Sequence, residues 1–225
     1  MSVATEHLAR LLQLASPTLP VGGYSYSQGL EWAVEAGTVV DARSAAQWIG
    51  DMLAGSFTTF EAPLWSRLYR AWAADDKVAL AHWHREFCAA RETGELRDET
   101  MQMGHSLSRL AQELAVPGHA ALAALAPVSF PLAHSFLAHA WSLPPREALA
   151  TYVWSWLENL VMAAVKTVPL GQFAAQRMLL DLGSRLAALV DRAWDMQDDE
   201  LSNFSPLLAI ASSRHEAQYS RLFRS

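Results

Sequence analysis

Between Pro145 and Lys166 the chain carries apolar residues at 149, 152, 153, 156, 157, 160, 161 and 164, and only Thr151, Ser155, Glu158 and Asn159 interrupt them. That spacing is the 3.6-residue period of a helix. A helix apolar around most of its circumference must be enclosed on most sides, so the rest of the chain has to supply the elements that enclose it. Its start is marked too. Pro144-Pro145-Arg146-Glu147 places proline and an acid in the first turn, where proline is tolerated and negative charge suits the positive end of the helix dipole.

The surrounding sequence predicts more helices. Leu8, Leu11, Leu12 and Ala15 share one helical face, as do Trp65, Leu68, Tyr69 and Trp72, and Trp48, Ile49, Met52 and Leu53 stack likewise behind Asp41 or Ser44 as N-cap. Asp75 is the expected cap of a helix running to about Arg91, and 95–114 forms a further helix with many charges. After Pro169 and Gly171, a last stripe runs through Leu179, Leu182, Leu186, Leu189 and Ala193. Composition supports this reading: Ala and Leu fill 71 of 225 positions and Val and Ile only 15. Straight-chain and small residues favour helices, whereas β-branched ones favour strands. The expected fold is all-α, a single multi-helix bundle over residues 1–225 without significant sheet, ending in a C-terminal tail of about 212–225.

Several function classes fall away on the same grounds. The net charge of −6, with 17 dispersed Lys and Arg, gives no footprint for nucleic acid. One cysteine, Cys88, forms no internal disulfide and supplies no thiolate ligand set. Glu6, His7 and Arg10 among the first leucines argue against a secretory signal. The 32 residues from Leu114 to Pro145 lack any Asp, Glu, Lys or Arg, but Pro117, Gly118, Pro127 and Pro131 break the run, which reads as two short buried helices rather than a membrane span.

Signals for catalysis are weak. No phosphate-binding loop or dinucleotide fingerprint occurs. Gly23-Tyr24-Ser25-Tyr26-Ser27 lacks the closing glycine and preceding strand of a nucleophile elbow, and reads as a turn feeding a helix. His82 and His84 point to opposite sides of a helix, and His134 and His139 are poorly spaced for one ion, so no metal site is expected. Arg91 and Glu95 are an i, i+4 pair if one helix covers both, although Gly94 suggests a joint there. Lys166 closes the apolar helix either as a dipole complement or as a contact residue. The last residues, Arg214, His215, Glu216, Gln218, Tyr219, Arg221, Leu222, Phe223 and Arg224, are rich in types found at interface hot spots. Such an end packs on its own domain or is held by a partner, and its chemistry favours the partner.

Four blocks, taken in order, resemble the urease accessory protein F (UreF) family. They are Leu11 to Glu31, with Ser16-Pro17-Thr18-Leu19-Pro20-Val21-Gly22-Gly23-Tyr24-Ser25; Ala90-Arg91-Glu92-Thr93 with Glu95-Leu96-Arg97 and Met103-Gly104; Asn159 through Ala164-Val165-Lys166-Thr167-Val168-Pro169-Leu170-Gly171-Gln172; and Ile210-Ala211-Ser212-Ser213-Arg214-His215-Glu216 through Ser225. Phe173-Ala174-Ala175-Gln176 and Ala133 depart from the family pattern. The resemblance implies a non-catalytic, cytoplasmic all-α scaffold, usually a homodimer, without a cofactor of its own. It binds UreD (UreH in some species), then the GTPase UreG, and docks on apo-urease during GTP-dependent nickel delivery. By the same resemblance Lys166 belongs to the GTPase side, and Arg214, His215, Glu216, Gln218, Tyr219, Arg221, Leu222, Phe223 and Arg224 to the UreD side. Two other classes compete: a nickel-binding metallochaperone that carries the ion itself, and a helical enzyme centred on His134 and His139. A scaffold also implies that part of the apolar surface is interface, so the isolated chain should expose large apolar side chains.

Overall fold

The computed structural model describes residues 4–225; Met1–Val3, where the stretch read for a secretory signal begins, lie outside the described residues. The helices are α1 (Thr5–Ala15), α2 (Leu30–Glu35), α3 (Ala42–Met52), α4 (Ala62–Ala73), α5 (Lys77–Ala89), α6 (Gly94–Glu113), α7 (His119–Ala123), α8 (Phe130–Ala140), α9 (Pro145–Thr167), α10 (Gln172–Gly183), α11 (Leu186–Asp195) and α12 (Pro206–Glu216). No strand occurs among the described residues, so the fold is all-α.

The long apolar helix is α9, and it starts at Pro145 as its prolines predict. It is enclosed by α1, α2, α3, α4, α8, α10 and α11. Its two halves serve two cores. Ala148, Leu149, Tyr152 and Val153 belong to a cluster with α1, α4, α6, α8 and α11, while Leu157, Leu160, Val161 and Ala164 belong to another with α2, α3, α10 and α12. Trp156 packs against both.

A second pair of helices spans both cores. The stripes at 48–53 and 65–72 predict two separate helices, and α3 and α4 are two helices: the Leu53–Glu61 stretch between them has widened i→i+5 bonding and is kinked at Gly55, whose φ of −84° and ψ of −122° are not helical. The kink re-aims the chain. The stripe Trp48, Ile49 and Met52 therefore faces the second core, whereas Phe57, Trp65 and Leu68 face the first. Glu61 ends the widened segment.

Helix boundaries follow local chemistry. Asp41 caps α3 by accepting from the Ser44 amide at 2.8 Å, and Ser44 reciprocates to the Asp41 amide. Asp76 rather than Asp75 caps α5, accepting from the amides of Val78 and Ala79. Asp75 takes φ +51° to terminate α4, which leaves the extended cap position to the next residue. Gly94 does mark a joint, because Thr93 caps α6 there. Of the two short helices expected in the uncharged run, α8 is buried along nearly its full length, but α7 is a surface turn anchored by Leu122. At Gly104 a Cβ would lie 2.1 Å from the Val128 carbonyl oxygen, so α6 and the chain entering α8 pack backbone to backbone.

The stripe Leu8, Leu11, Leu12, Ala15 is a further correction. Leu11 and Leu14 face the core, and Leu8 and Leu12 point outward. Other large apolar side chains are exposed as well: Phe173 and Leu180 on α10, and Phe204, Leu207 and Ile210 on and before α12. No helix among the described residues is long and apolar enough to cross a membrane.

Candidate functional site: an anchored C-terminal segment beside a cavity

Helix α12 lies against α2 and α6. After a turn at Ala217–Ser220 the chain runs back as Arg221–Ser225 over the junction of Ser25–Ser27, α2 and α6. The C-terminal segment here packs on its own domain, one of the two arrangements open to such an end. The imidazole of His215 is fully buried, with Nδ1 2.7 Å from Glu95 Oε2 and Nε2 3.2 Å from Glu31 Oε2. Glu31 also accepts from the amides of Leu222 and Phe223 at 2.6 and 2.9 Å. Glu95 receives the Arg221 guanidinium, and its own amide donates to Glu216. Arg224 donates through its amide to the Ser25 carbonyl and through its guanidinium to Gln102.

Ser225 goes deepest. Its backbone oxygen accepts from both the amide and the hydroxyl of Ser27, at 2.7 and 2.6 Å, and its hydroxyl donates to Glu99 at 2.8 Å. The other oxygen of Glu99 accepts from the Gln28 amide, whose carbonyl accepts from the Trp156 indole at 2.9 Å. Glu95, Glu99 and Gln102 stand at i, i+4 and i+7, one polar stripe along α6 given over to the segment. Gly29 makes the approach possible. A Cβ there would sit 2.8 Å from that of Ala211, and its φ of +78° is one that side chains disfavour.

Beneath this anchor lies a cavity of about 240 Å3, with apolar walls from α1, α5, α6, α8 and α9. Glu61, Arg91, Glu99 and Tyr152 contribute its buried polar groups, and the exposed Tyr24 and Lys166 stand at its rim. The Tyr152 hydroxyl donates to Glu61 at 2.6 Å, and the Arg91 guanidinium donates to the same carboxylate at 3.0 Å. Arg91 therefore pairs across the fold rather than with Glu95. Burial, reinforced by Glu61 and opposed by the hydrogen bonds from Gln28 and Ser225, pushes the Glu99 carboxyl up to about 7. Burial likewise pushes the Tyr152 phenol well above its ordinary value.

The predicted contact residues divide by exposure. Lys166 is exposed, its ammonium 5.9 Å from the Tyr24 ring centroid and 5.4 Å from that of Phe223, so it adjoins the segment. In the tail, Arg214, Glu216, Tyr219, Arg221, Leu222 and Arg224 are exposed, Gln218 is half-buried, and His215 and Phe223 are buried. The histidines are scattered. His134 is sealed in the first core, its Nδ1 accepting from the Trp65 indole at 3.1 Å, and burial lowers its pKa to about 3. His139 lies half-buried at the end of α8; on α5 His82 is exposed and His84 is half-buried, where burial lowers its pKa. No group of three or more His, Cys, Asp or Glu converges on a possible ion among the described residues.

The sequence reading missed Glu31, Glu95, Glu99 and Gln28. The spacing of Glu95, Glu99 and Gln102 was the available signal, but it lay within a helix marked only by its many charges.

The fold and site define an all-α protein whose anchored C-terminal segment contacts Glu99, a residue that also lines a cavity open at Tyr24 and Lys166. The sequence model of the UreF family matches residues 39–183. The urease accessory protein UreF of Azoarcus sp. (strain BH72) is 57% identical over 223 residues, 97% of this chain and 95% of that one. Its counterpart in Dechloromonas aromatica (strain RCB) is 51% identical over 222 residues, 97% of each. The bifunctional urease accessory protein UreEF of Bordetella bronchiseptica is 49% identical across this whole chain, which covers 53% of that relative. The chain belongs to the UreF family, and as a member it is an accessory protein and not an enzyme.

Proposed function

We propose that the chain is a cytoplasmic urease-maturation scaffold that bridges UreD (UreH) and the GTPase UreG, and that it modulates GTP-dependent nickel delivery into apo-urease as a homodimer. The observation that carries this reading is the outward display of large apolar side chains by a family member: Tyr219 and Leu222 on the tail, Phe204 and Ile210 around α12, and Phe173 and Leu180 on α10. Exposed groups of this size are what a partner covers where they come together as a patch. The tail contributes to the UreD side through Tyr219, Leu222, Arg221 and Arg224, with His215 and Phe223 holding it in shape. Lys166 serves the GTPase side.

A pull-down with the urease operon products tests the reading. Tyr219→Ala with Leu222→Ala strips exposed apolar surface without touching the buried anchors, and it should abolish co-purification with UreD. Retained co-purification removes the tail assignment. Lys166→Ala should leave UreD binding intact and lower urease activation, and unchanged activation removes the lysine's role. Light scattering checks the dimer. Equilibrium dialysis distinguishes the metallochaperone alternative, for which the isolated chain would bind nickel tightly and stoichiometrically.

A further inference from the structure

We propose that the cavity binds a small organic monocation, an ammonium carried on an apolar body, and that Glu99 is the counter-charge that selects it. Two largely buried carboxylates line the cavity, and they keep different company. Glu61 accepts from the Arg91 guanidinium on one oxygen and from the Tyr152 hydroxyl on the other, so its charge is balanced within the chain. Glu99 accepts from neutral donors, the Gln28 amide and the Ser225 hydroxyl, and Arg91 is already committed to Glu61. A buried carboxylate is costly unless a cation pairs with it. Burial accordingly pushes the Glu99 carboxyl up to about 7. An ionised carboxylate has about four lone-pair sites, and the two bonds to Glu99 leave the rest for the N–H groups of a ligand.

The rest of the wall fits the same ligand. The Asn159 amide donates to the Tyr26 carbonyl and the Ser155 hydroxyl to the Tyr152 carbonyl, which leaves both side chains with free acceptor oxygens. A wall rich in acceptors selects a donor. Around these groups stand Leu14, Leu19, Leu96, Met103, Phe130 and Trp156. Carbon walls suit the body of an organic cation, and aromatic rings attract its charge, whereas they offer a metal ion little to replace its water. The volume of about 240 Å3 lies below the roughly 300–1,000 Å3 of sites for drug-sized ligands, so the occupant is smaller. Lys166 at the rim does not bar a cation, because Glu158, half-buried two turns earlier on α9, lines the same cavity with the opposite charge. This site goes beyond the scaffold reading and does not rest on it. Binding belongs to the isolated chain, and its failure would leave the pull-down result standing.

The experiment is isothermal titration calorimetry of the purified full chain with three probes of similar shape and different charge: phenethylamine, phenethyl alcohol and hydrocinnamate. At pH 8, above the Glu99 value of about 7, the amine should bind at least tenfold more tightly than the alcohol, and hydrocinnamate more weakly than either. Met103→Trp fills the cavity and should abolish binding of all three. Glu99→Gln keeps the size of the side chain and removes its charge. It should bring the amine down to the level of the alcohol while the alcohol changes less than twofold, which also reports that the variant is folded. Glu158→Gln should leave the preference in place. Equal affinity of the unmodified chain for amine and alcohol would overturn the proposal, as would no binding of the amine. So would a preference that survives Glu99→Gln, or one lost in Glu158→Gln, since the cation would then sit at the mouth.

Discussion

The two ends of α9 are held by different physics. Around its first half, Trp65, Tyr152, Phe130 and Phe57 pack ring against ring, with centroid separations of 5.4 to 6.3 Å among the pairs made by Tyr152, and the ionisable His134 is kept neutral among them. Around its second half, Trp156 leads into Gln28, Glu99 and the C-terminal segment, where carboxylates of Glu31, Glu95 and Glu99 accept from backbone and side chain. Apolar burial is non-directional and scales with area, so the first region is stable but cannot be exchanged piecemeal. Directed hydrogen bonds contribute modestly one at a time, so the second region is specific and releasable. The two also respond to acid with opposite sign. His134 contributes stability that is present above pH 6.5 and lost as pH falls toward 3. Glu99 contributes stability that is complete below about pH 4.5 and lost as pH rises through 7.

The contrast can be broken from either side. The largest effect is expected from Trp65→Ala, which empties a fully buried site and leaves His134 without its donor; about 3–5 kcal/mol of global stability should vanish in urea unfolding. Glu99→Gln comes next. Removing the titration should abolish about 3 kcal/mol of pH dependence between pH 4.5 and 7, so that the opposite dependence of His134 stands alone and the unfolding midpoint is lower at pH 5 than at pH 8. Glu31→Ala unpins two backbone amides and one side of His215, and about 1–3 kcal/mol should be lost locally. Hydrogen exchange should rise at Leu222 and Phe223 and stay unchanged in α4 and α8. The smallest is Lys166→Met, which removes an exposed ammonium from two rings and should cost about 0.5–1 kcal/mol or less of segment protection. A global loss from Glu31→Ala as large as that from Trp65→Ala would erase the distinction between the two regions.

Much of the frame is legible in the residues. Pro144 and Pro145 mark where α9 begins, its apolar spacing predicts that it is enclosed, Asp41 marks the start of α3, and Gly94 marks the joint before α6. These are local signals, read within one or two turns. The misreadings are local signals with a neighbour's answer. Asp75 and Asp76 are both capable caps, and the choice fell to whichever could stay extended after α4 ended. Gly55 is the local sign of the kink between α3 and α4, but which face each helix turns inward is decided by the two cores they serve.

The sequence by itself therefore determined the class of fold, the central helix and the residue types at the tail, since periodicity, caps and propensity act over a few residues. Tertiary structure alone decided that His215 meets Glu31 and Glu95, that Arg91 meets Glu61, and that Ser225 closes on Glu99. The physical reason is that a hydrogen bond carries no record of chain separation. A carboxylate on an amphipathic helix is compatible with water, with an i+4 neighbour or with a residue more than a hundred positions away, and only packing selects among them.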